Sequence, residues 1–259
     1  MLNVNNLDVK FKLDNNIVHA VKGISYTVRP GESIGIVGES GSGKSVSALA
    51  IMGLLPNTAT VTGEILYNNT SLLSLSENDY RLIRGKKIGY IFQNPLAALN
   101  PVFTIANQMV ETIMLHHNYT KKEARDYAIE LLHKVKIVNP ETRIDDYPHQ
   151  FSIGMCQRIM IAMTLSMKPD FLIADEPTAS LDVTTQKEIL ELIDELKHEY
   201  NMGMIFISHD LAVVAERCDH VAVMYLGNIV EQGSPKQIFT SPNNNYTKLL
   251  IEAIPKIPF

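Results

Sequence analysis

The sequence predicts an α/β fold with a mixed central sheet, an N-terminal antiparallel β-subdomain and an inserted helical subdomain. Short, continuous apolar runs such as 33–37 and 171–174 are typical of strands buried on both faces of a sheet. Elsewhere in residues 1–37 apolar and polar side chains alternate, which indicates half-buried antiparallel strands. Residues 100–166 instead have apolar side chains three and four positions apart, which indicates helices.

The elements of the first half follow from these patterns and from turn residues. In order, we expect strands at 7–11 and 24–28 joined by a turn at Asp14–Asn16, a buried strand at 33–37, a helix at 44–55 that stops before Pro56, and a strand pair at 63–67 and 88–92.

The second half alternates helical periods with short apolar runs. In order, we expect a helix at 121–135, a buried strand at 171–174, a long helix at 184–199, a buried strand at 204–208, a helix at 211–217, a strand pair within 221–230, and a tail with one short helix between loops.

Composition limits the function classes. The chain has 259 residues and a net charge of -5, and this acidic balance argues against a nucleic-acid binder, which usually carries a basic face. The two cysteines, Cys156 and Cys218, fit a reducing compartment. We see no secretory signal at the N-terminus and no run near the ~18 apolar residues that a membrane span needs. If the protein acts at a membrane, other chains must supply the span.

The most informative segment, residues 38–45, follows the buried strand at 33–37 and matches the phosphate-binding pattern G-x-x-x-x-G-K-[ST] at every fixed position. Its glycines permit a tight loop whose N–H groups and following helix N-terminus attract an anion. Lys44 would neutralise the β- and γ-phosphate oxygens, and the Ser45 hydroxyl would bind Mg²⁺. The sequence therefore predicts an ATP-type nucleotide bound by Gly38, Glu39, Ser40, Gly41, Ser42, Gly43, Lys44 and Ser45.

A carboxylate pair ends the buried strand at 171–174. We assign Asp175 to the metal, and Glu176 to the base that polarises the attacking water. The alternative is an ordinary turn after a strand. Two polar residues at other strand ends are weaker candidates on their own: His209 could contact the γ-phosphate, and Gln93 could reach the Mg²⁺ shell or the water.

Together these residues resemble the ATP-binding subunit of ABC transporters over about 1–245. A signature-like segment lies at 151–158, Ala179–Asp182 matches the D-loop, and His209 matches the switch histidine. The resemblance implies a RecA-like core with β-subdomain at 1–99 and 167–235, a helical signature subdomain at 100–166 and a tail at 236–259.

In this family two cassettes pack head to tail, and each ATP lies between the phosphate loop of one chain and the signature of the other. The resemblance therefore implies nucleotide contacts from Ser152, Gly154 and Asp182. It also places Phe11 where an aromatic residue stacks on adenine; the alternative is a core residue of the strand.

A narrower resemblance, to the dipeptide, oligopeptide and nickel importer group, rests on residues 38–45, 94–101, 147–150, 158–163 and 242–250. It implies a peripheral subunit on the cytoplasmic face of the membrane. Its partners would be a second ATPase subunit, two permeases and an extracytoplasmic solute-binding protein. Residues 94–104 would form the surface that contacts the permease.

Two departures from the group bear on these expectations. Many peptide-type members have a cysteine cluster beyond the position of Phe259. We expect no such cluster here, and this slightly favours nickel or a metal chelate over a peptide as the cargo. Ile153 replaces a signature glycine, which could add bulk at the partner's nucleotide or remove a needed positive φ. Either the two nucleotide sites are unequal, or the loop absorbs Ile153 and both sites hydrolyse ATP.

The leading function is an ATPase that energises import of peptides or nickel and metal chelates. The alternatives are a nucleotide-binding regulatory subunit with weak turnover, a soluble ABC ATPase not linked to transport, and an exporter. The adjacent His116 and His117 are expected to be surface residues rather than metal ligands.

Overall fold

A computed structural model describes residues 1–13 and 16–254. Its elements are an antiparallel sheet, the strands of a mixed sheet and a series of helices. The strands are β1 (Leu2–Leu13), β2 (Asn16–Val28), β3 (Ser33–Val37), β4 (Ala59–Tyr67), β5 (Thr70–Ser71), β6 (Ile88–Ile91), β7 (Phe171–Asp175), β8 (Gly203–Ser208), β9 (His220–Tyr225) and β10 (Asn228–Gly233). The helices are α1 (Lys44–Ile51), α2 (Glu77–Ile83), α3 (Pro95–Ala98), α4 (Ile105–His116), α5 (Lys121–Lys134), α6 (Pro140–Arg143), α7 (Ile153–Leu165), α8 (Val183–Tyr200), α9 (Leu211–Arg217), α10 (Pro235–Thr240) and α11 (Asn245–Glu252).

The chain divides into two compact units, which are described separately. The first unit contains Met1–Leu82 and Asn201–Phe259, and the second contains Ile83–Tyr200.

The first unit begins with an antiparallel sheet in the order β2-β1-β4-β5. The alternating pattern predicts the antiparallel strands β1 and β2, which pair with each other. The buried residues of β1, among them Leu7 and Val9, lie on one face and Phe11 follows at the same spacing. Phe11 pairs with Val18 on β2 and with Ala59 on β4. The turn predicted between β1 and β2 falls on Asp14 and Asn15, which are outside the described residues.

The first unit also holds the strands β10-β9-β3-β8 in that order. Strand β3 runs parallel to β8 and to β9, whereas β10 is antiparallel to β9, so the sheet is mixed as predicted. All five residues of β3 are buried, which explains its continuous apolar sequence. Because β3 and β8 are parallel with Val37 opposite Ser208, their carboxyl ends meet at one edge.

In the second unit β6 runs parallel to β7, with Ile91 opposite Ala174. The predicted pairing of 63–67 with 88–92 is therefore wrong, because β4 pairs with β1 and β5 instead. Both runs are strands, but a short apolar run does not identify its partner.

The helices of the second unit begin at the residue types that favour helix starts. Thr120 forms a capping box with Glu123 at the start of α5, and Asn94 caps α3 by accepting from two backbone N–H groups. The predicted helix at 184–199 corresponds to α8.

The C-terminal tail contains two helices where one was predicted. The first, α10, begins with a capping box formed by Ser234 and Gln237. The second, α11, is capped by Asn244. Residues 255–259 of the predicted tail lie outside the described part of the chain.

Candidate nucleotide-binding site

The glycine-rich loop connects β3 to α1, and two of its glycines have no room for a side chain. A Cβ atom on Gly43, whose φ is 102°, would lie 2.4 Å from the carbonyl oxygen of Ala20. A Cβ on Gly38 would lie 2.1 Å from the carbonyl oxygen of Met224. Glycine is therefore required at both positions for the loop to curl against the strands beside it.

Lys44 is the first residue of α1, and its side chain is only 4% exposed. Its ammonium donates to the carbonyl oxygens of Gly38 (2.8 Å) and Glu39 (2.9 Å), so the loop wraps around the lysine that closes it. The hydroxyl of Ser42 is buried and has no hydrogen-bond partner among the described residues. A curled glycine loop with a buried cation, an unused hydroxyl and a helix N-terminus fits a phosphate group.

The edge at which the loop begins also carries His209. Val37, which precedes the loop, lies opposite Ser208, and His209 follows Ser208 as an exposed residue. The next residue, Asp210, caps α9 by accepting from the N–H groups of Ala212 and Val213. His209 therefore lies on a short connection fixed at both ends.

Two further segments of the first unit hold the outside of the loop. Gly227, in the turn between β9 and β10, donates its N–H to the carbonyl of Ser42 at 3.0 Å. The hydroxyl of Tyr246 on α11 accepts a hydrogen bond from the N–H of Glu39 at 3.0 Å. The Tyr246 ring packs on Tyr225 with centroids 4.1 Å apart. Sequence reasoning missed this support, because Glu39 and Tyr246 are 207 positions apart.

In the second unit, Asp175 is the last residue of β7 and is 6% exposed. It accepts a hydrogen bond of 2.7 Å from the hydroxyl of Tyr90 on β6. Burial and the neighbouring carboxylate raise the pKa of Tyr90, so its phenol stays a proton donor to Asp175 at any physiological pH. Tyr90 is a second residue that the sequence patterns did not reveal.

Glu176 follows Asp175 with a φ of 44°, a left-handed conformation that is uncommon for residues other than glycine. Its carboxylate accepts a hydrogen bond of 3.1 Å from the side-chain amide of Gln93. Since β6 and β7 end at the same edge, the structure brings together Gln93, Asp175 and Glu176, the three candidates of this unit that lie at strand ends.

The signature-like segment forms the N-terminus of α7. Ser152 is the N-cap, and its hydroxyl accepts from the N–H of Met155 at 3.3 Å. Ile153 is the first helical residue, 42% exposed, and is absent from the positive-φ residues of the described chain. Of the two possible effects of Ile153, loss of a needed positive φ therefore does not occur here, and the added side-chain bulk remains.

Arg143 holds the segment before α7. Its guanidinium lies over the ring of Phe151 at 4.1 Å, donates to the carbonyl of Gln150 at 2.9 Å and pairs with Asp146. This arginine is a further residue that motif matching did not single out.

The D-loop residue Asp182 caps α8. Its carboxylate accepts from the N–H groups of Thr184 and Thr185, both at 3.1 Å. Hydrogen bonding, first of all from the Thr185 side chain, lowers the pKa of Asp182 and keeps it ionised. Gly154 of the signature lies directly against Thr185: a Cβ on this glycine would be 2.7 Å from the Thr185 methyl carbon.

Two other residues that the sequence singles out, Phe11 and His117, are both half-buried. Phe11 lies in β1. The ring of His117 lies 5.1 Å from Tyr119 and packs edge-on against Tyr127, and its Nε2 is 3.0 Å from the Ser166 carbonyl oxygen. His117 is thus a half-buried residue packed against two tyrosine rings.

Two structural features are absent from residues 1–13 and 16–254. No helix among them is both long enough and apolar enough to cross a membrane. Nor do they contain a group of three or more His, Cys, Asp or Glu side chains arranged to hold a metal ion.

A glycine-rich phosphate loop between a buried parallel strand and a helix defines the class of P-loop nucleoside triphosphatases. Residues 21–179 match the family model described as ABC transporter, and the chain belongs to this family. The prediction of an ABC-type ATPase is thereby confirmed.

The curated relatives cover nearly the whole chain. The dipeptide transport ATP-binding protein DppD of Escherichia coli is 47% identical over 99% of this chain and 79% of its own length. The probable peptide ABC transporter ATP-binding protein y4tR of Sinorhizobium fredii is 46% identical over 98% of this chain and 77% of its own. The oligopeptide transport ATP-binding protein OppD of Salmonella typhimurium is 44% identical over 99% and 77%.

Solved structures with the same fold include two ABC proteins. The ATP-binding cassette MJ0796, a dimer in a post-hydrolysis state bound to ADP and Pi, is 26% identical, with a TM-score of 0.81 over 91% of this chain and 99% of that chain. The protein cbiO1 of Clostridium perfringens, part of the ABC transporter complex cbiONQ, is 32% identical, with a TM-score of 0.76 over 93% and 90%.

Proposed function

We propose that this chain is the ATP-hydrolysing subunit of an importer for peptides. The observation that carries the proposal is the closed phosphate loop around Lys44 in a chain whose relatives, 44% to 48% identical over almost its full length, are named for dipeptide and oligopeptide transport. The nickel or metal-chelate cargo has no comparable support in these names.

The loop from Gly38 to Ser45 would bind the phosphates of ATP, and Phe11 would stack on the adenine. The hydroxyl of Ser45 and the side-chain oxygens of Gln93 and Asp175 are ligands that Mg²⁺ prefers. When bound, Mg²⁺ neutralises phosphate charge. The phenol of Tyr90 would keep the Asp175 carboxylate oriented, since it donates at 2.7 Å.

Glu176 would accept the proton of the attacking water, and Gln93 would orient the Glu176 carboxylate through their 3.1 Å hydrogen bond. His209 would contact the γ-phosphate from the end of β8. The exposed positions of Ser152 and Asp182, and the half-buried position of Gly154, support contacts with nucleotide held by a second cassette.

Each proposed partner has a different basis. A second ATPase subunit is supported by the dimeric MJ0796 structure, and permease and solute-binding subunits by the transport names of the relatives.

Large apolar side chains at Leu96, Val102 and Phe103 are 47%, 71% and 49% exposed, and Phe103 lines a groove of about 680 Å³ along α4. Such a surface suits a permease helix at the cytoplasmic face of the membrane.

We also propose the domain boundaries given above: a core with β-subdomain at 1–99 and 167–235, a helical subdomain at 100–166 and a tail at 236–259.

The exposed Ile153 at the start of α7 would make the nucleotide site that this signature completes weaker than the site containing Lys44 and Glu176. Equal loss of turnover from base mutations in either site would contradict this asymmetry.

The proposed function is tested by steady-state ATPase assays of the purified chain, alone and with its second ATPase subunit. Lys44→Ala is expected to abolish nucleotide binding, and Glu176→Gln to abolish turnover while ATP remains bound. In cells, both variants should stop uptake of a labelled dipeptide. Continued uptake by Lys44→Ala would refute the energising role, and loss of ⁶³Ni²⁺ uptake instead of dipeptide uptake would identify nickel as the cargo.

A further inference from the structure

The C-terminal helix α11 reaches the phosphate loop through one side chain. The Tyr246 hydroxyl accepts a hydrogen bond from the backbone N–H of Glu39, the second residue of the loop, at 3.0 Å. None of the loop motif's fixed positions requires this contact. It therefore needs a separate physical explanation.

The start of α11 is itself held in place. The carboxylate of Glu231 on β10 accepts hydrogen bonds from the backbone N–H groups of Asn243 (2.7 Å) and Asn244 (3.1 Å). The Asn244 side chain then accepts from the N–H of Tyr246 at 2.9 Å. The ring of Tyr246 rests on Tyr225, so its hydroxyl has a defined position.

The peptide that Tyr246 contacts is also the one whose carbonyl accepts from Lys44, the proposed phosphate-binding lysine. The N–H of Glu39 and the carbonyl of Gly38 belong to the same peptide group, and no cis peptide occurs among the described residues. In a trans peptide these two groups point in opposite directions. On one side the peptide donates to Tyr246, and on the other it accepts from the Lys44 ammonium at 2.8 Å.

We propose that Tyr246 is a positioning residue for Lys44: its hydroxyl fixes the Gly38–Glu39 peptide, whose carbonyl places the lysine ammonium where the nucleotide phosphates bind. The inference rests on the proposed phosphate-binding role of the loop. It assigns the C-terminal helix a part in nucleotide affinity, because the loop is held in its binding shape before the nucleotide arrives.

The expected effect is modest, because Glu39 is exposed and water can replace the lost partner. Replacing a neutral hydrogen bond by one to water changes an equilibrium by roughly two- to tenfold. We therefore expect Tyr246→Phe, which keeps the ring on Tyr225, to raise the Kd for the Mg²⁺ complex of the non-hydrolysable analogue AMP-PNP by roughly that factor.

The experiment compares the purified full-length chain with four variants by isothermal titration calorimetry: Tyr246→Phe, Tyr246→Leu, Tyr200→Phe and Lys44→Ala. Tyr246→Phe tests the hydroxyl and Tyr246→Leu also removes the ring. Tyr200→Phe is the matched control, because it deletes a tyrosine hydroxyl that accepts from Lys134 at 2.7 Å, far along the chain from the loop. Amide hydrogen exchange of the nucleotide-free chain provides a readout independent of binding.

The proposal requires that Tyr246→Phe weaken AMP-PNP binding and speed exchange within residues 38–44, while exchange in α11 and the nucleotide-free melting temperature stay unchanged. Tyr200→Phe should bind like the wild type. Normal affinity and exchange in Tyr246→Phe would overturn the proposal, and if only Tyr246→Leu binds weakly, ring packing is responsible. Lys44→Ala distinguishes a failure of the role proposed for Tyr246 from a failure of the proposed function. If Lys44→Ala still binds AMP-PNP, the proposed function itself fails.

Discussion

Gly154 provides a sharp test of how the signature segment is built. It is the second residue of α7, and a Cβ atom at this position would lie 2.7 Å from the Cγ2 of Thr185 in α8. The next nearest atoms, on Leu181 and on Thr185 itself, would be 4.0 Å away, which is ordinary contact. The methyl group of Thr185 is therefore the main obstacle to an alanine.

The cost of Gly154→Ala follows from these distances. Carbon atoms pack best at about 3.5–4.0 Å, so one of the two helices must shift by about 1 Å. The methyl cannot simply rotate away, since Thr185 is β-branched and its hydroxyl bonds to Asp182. Overpacking of this kind costs about 1–3 kcal/mol, and the entropic gain from replacing a helical glycine offsets about 0.4–1 kcal/mol. We expect a net loss of about 0.5–2 kcal/mol.

Urea unfolding of four proteins measures this cost: wild type, Gly154→Ala, Thr185→Ser and the double variant. Serine retains the hydroxyl that bonds to Asp182 but lacks the methyl group. The double variant should regain the stability lost by Gly154→Ala, so the two sites should show a coupling energy of about 1–3 kcal/mol. Stability of Gly154→Ala equal to wild type, or no recovery in the double variant, would refute the packing argument.

The same four proteins separate the packing role of Gly154 from its proposed contact with nucleotide. If ATPase activity recovers together with stability in the double variant, packing against Thr185 explains the glycine. If activity stays low in the refolded, stable double variant, the glycine is also needed for close approach of the nucleotide.

Three further predictions concern other contacts. Tyr90→Phe removes the donor to the buried Asp175 and should lower the free energy of unfolding in urea by about 1.5–3 kcal/mol; an unchanged value would contradict the role of this bond. Burial raises the pKa of Glu231, but hydrogen bonds, led by the N–H of Asn243, outweigh it and lower this pKa from its usual 4.5. The ionised Glu231 carboxylate therefore stabilises the fold above that pH. Glu231→Gln should lower the free energy of unfolding, and its difference from wild type should shrink as the pH falls below about 4.5. A constant difference from pH 7 to 3 would exclude this link between the ionisation of Glu231 and stability. Ile153→Gly should not relieve strain, since Ile153 starts a helix without a positive φ, and a gain in stability would show otherwise.

The sequence-based prediction was successful where a signal is local. The run 33–37 is continuously apolar because β3 is buried along its whole length, and the loop motif lies within eight consecutive residues. Cap residues such as Thr120 bond to N–H groups three positions away, so they mark helix starts within one turn of sequence.

Prediction failed where the deciding contact is distant in sequence. The runs at 63–67 and 88–92 have similar composition, and only register and connectivity assign β4 to β1 and β6 to β7. The bond from Tyr90 to Asp175 spans 85 positions. No periodicity or spacing links such pairs, and a tyrosine on a strand is in most cases a packing residue.

The sequence motif also does not reveal the backbone conformation of Glu176. A left-handed conformation costs a side-chain-bearing residue about 1–2 kcal/mol, which a glycine would avoid. Its neighbour Pro177 restricts it further, since a residue before proline favours extended conformations. Stability alone would therefore favour glycine here. Keeping a carboxylate in this strained position, hydrogen-bonded to Gln93, is explained if the carboxylate is needed for chemistry, and this supports its proposed role as the base.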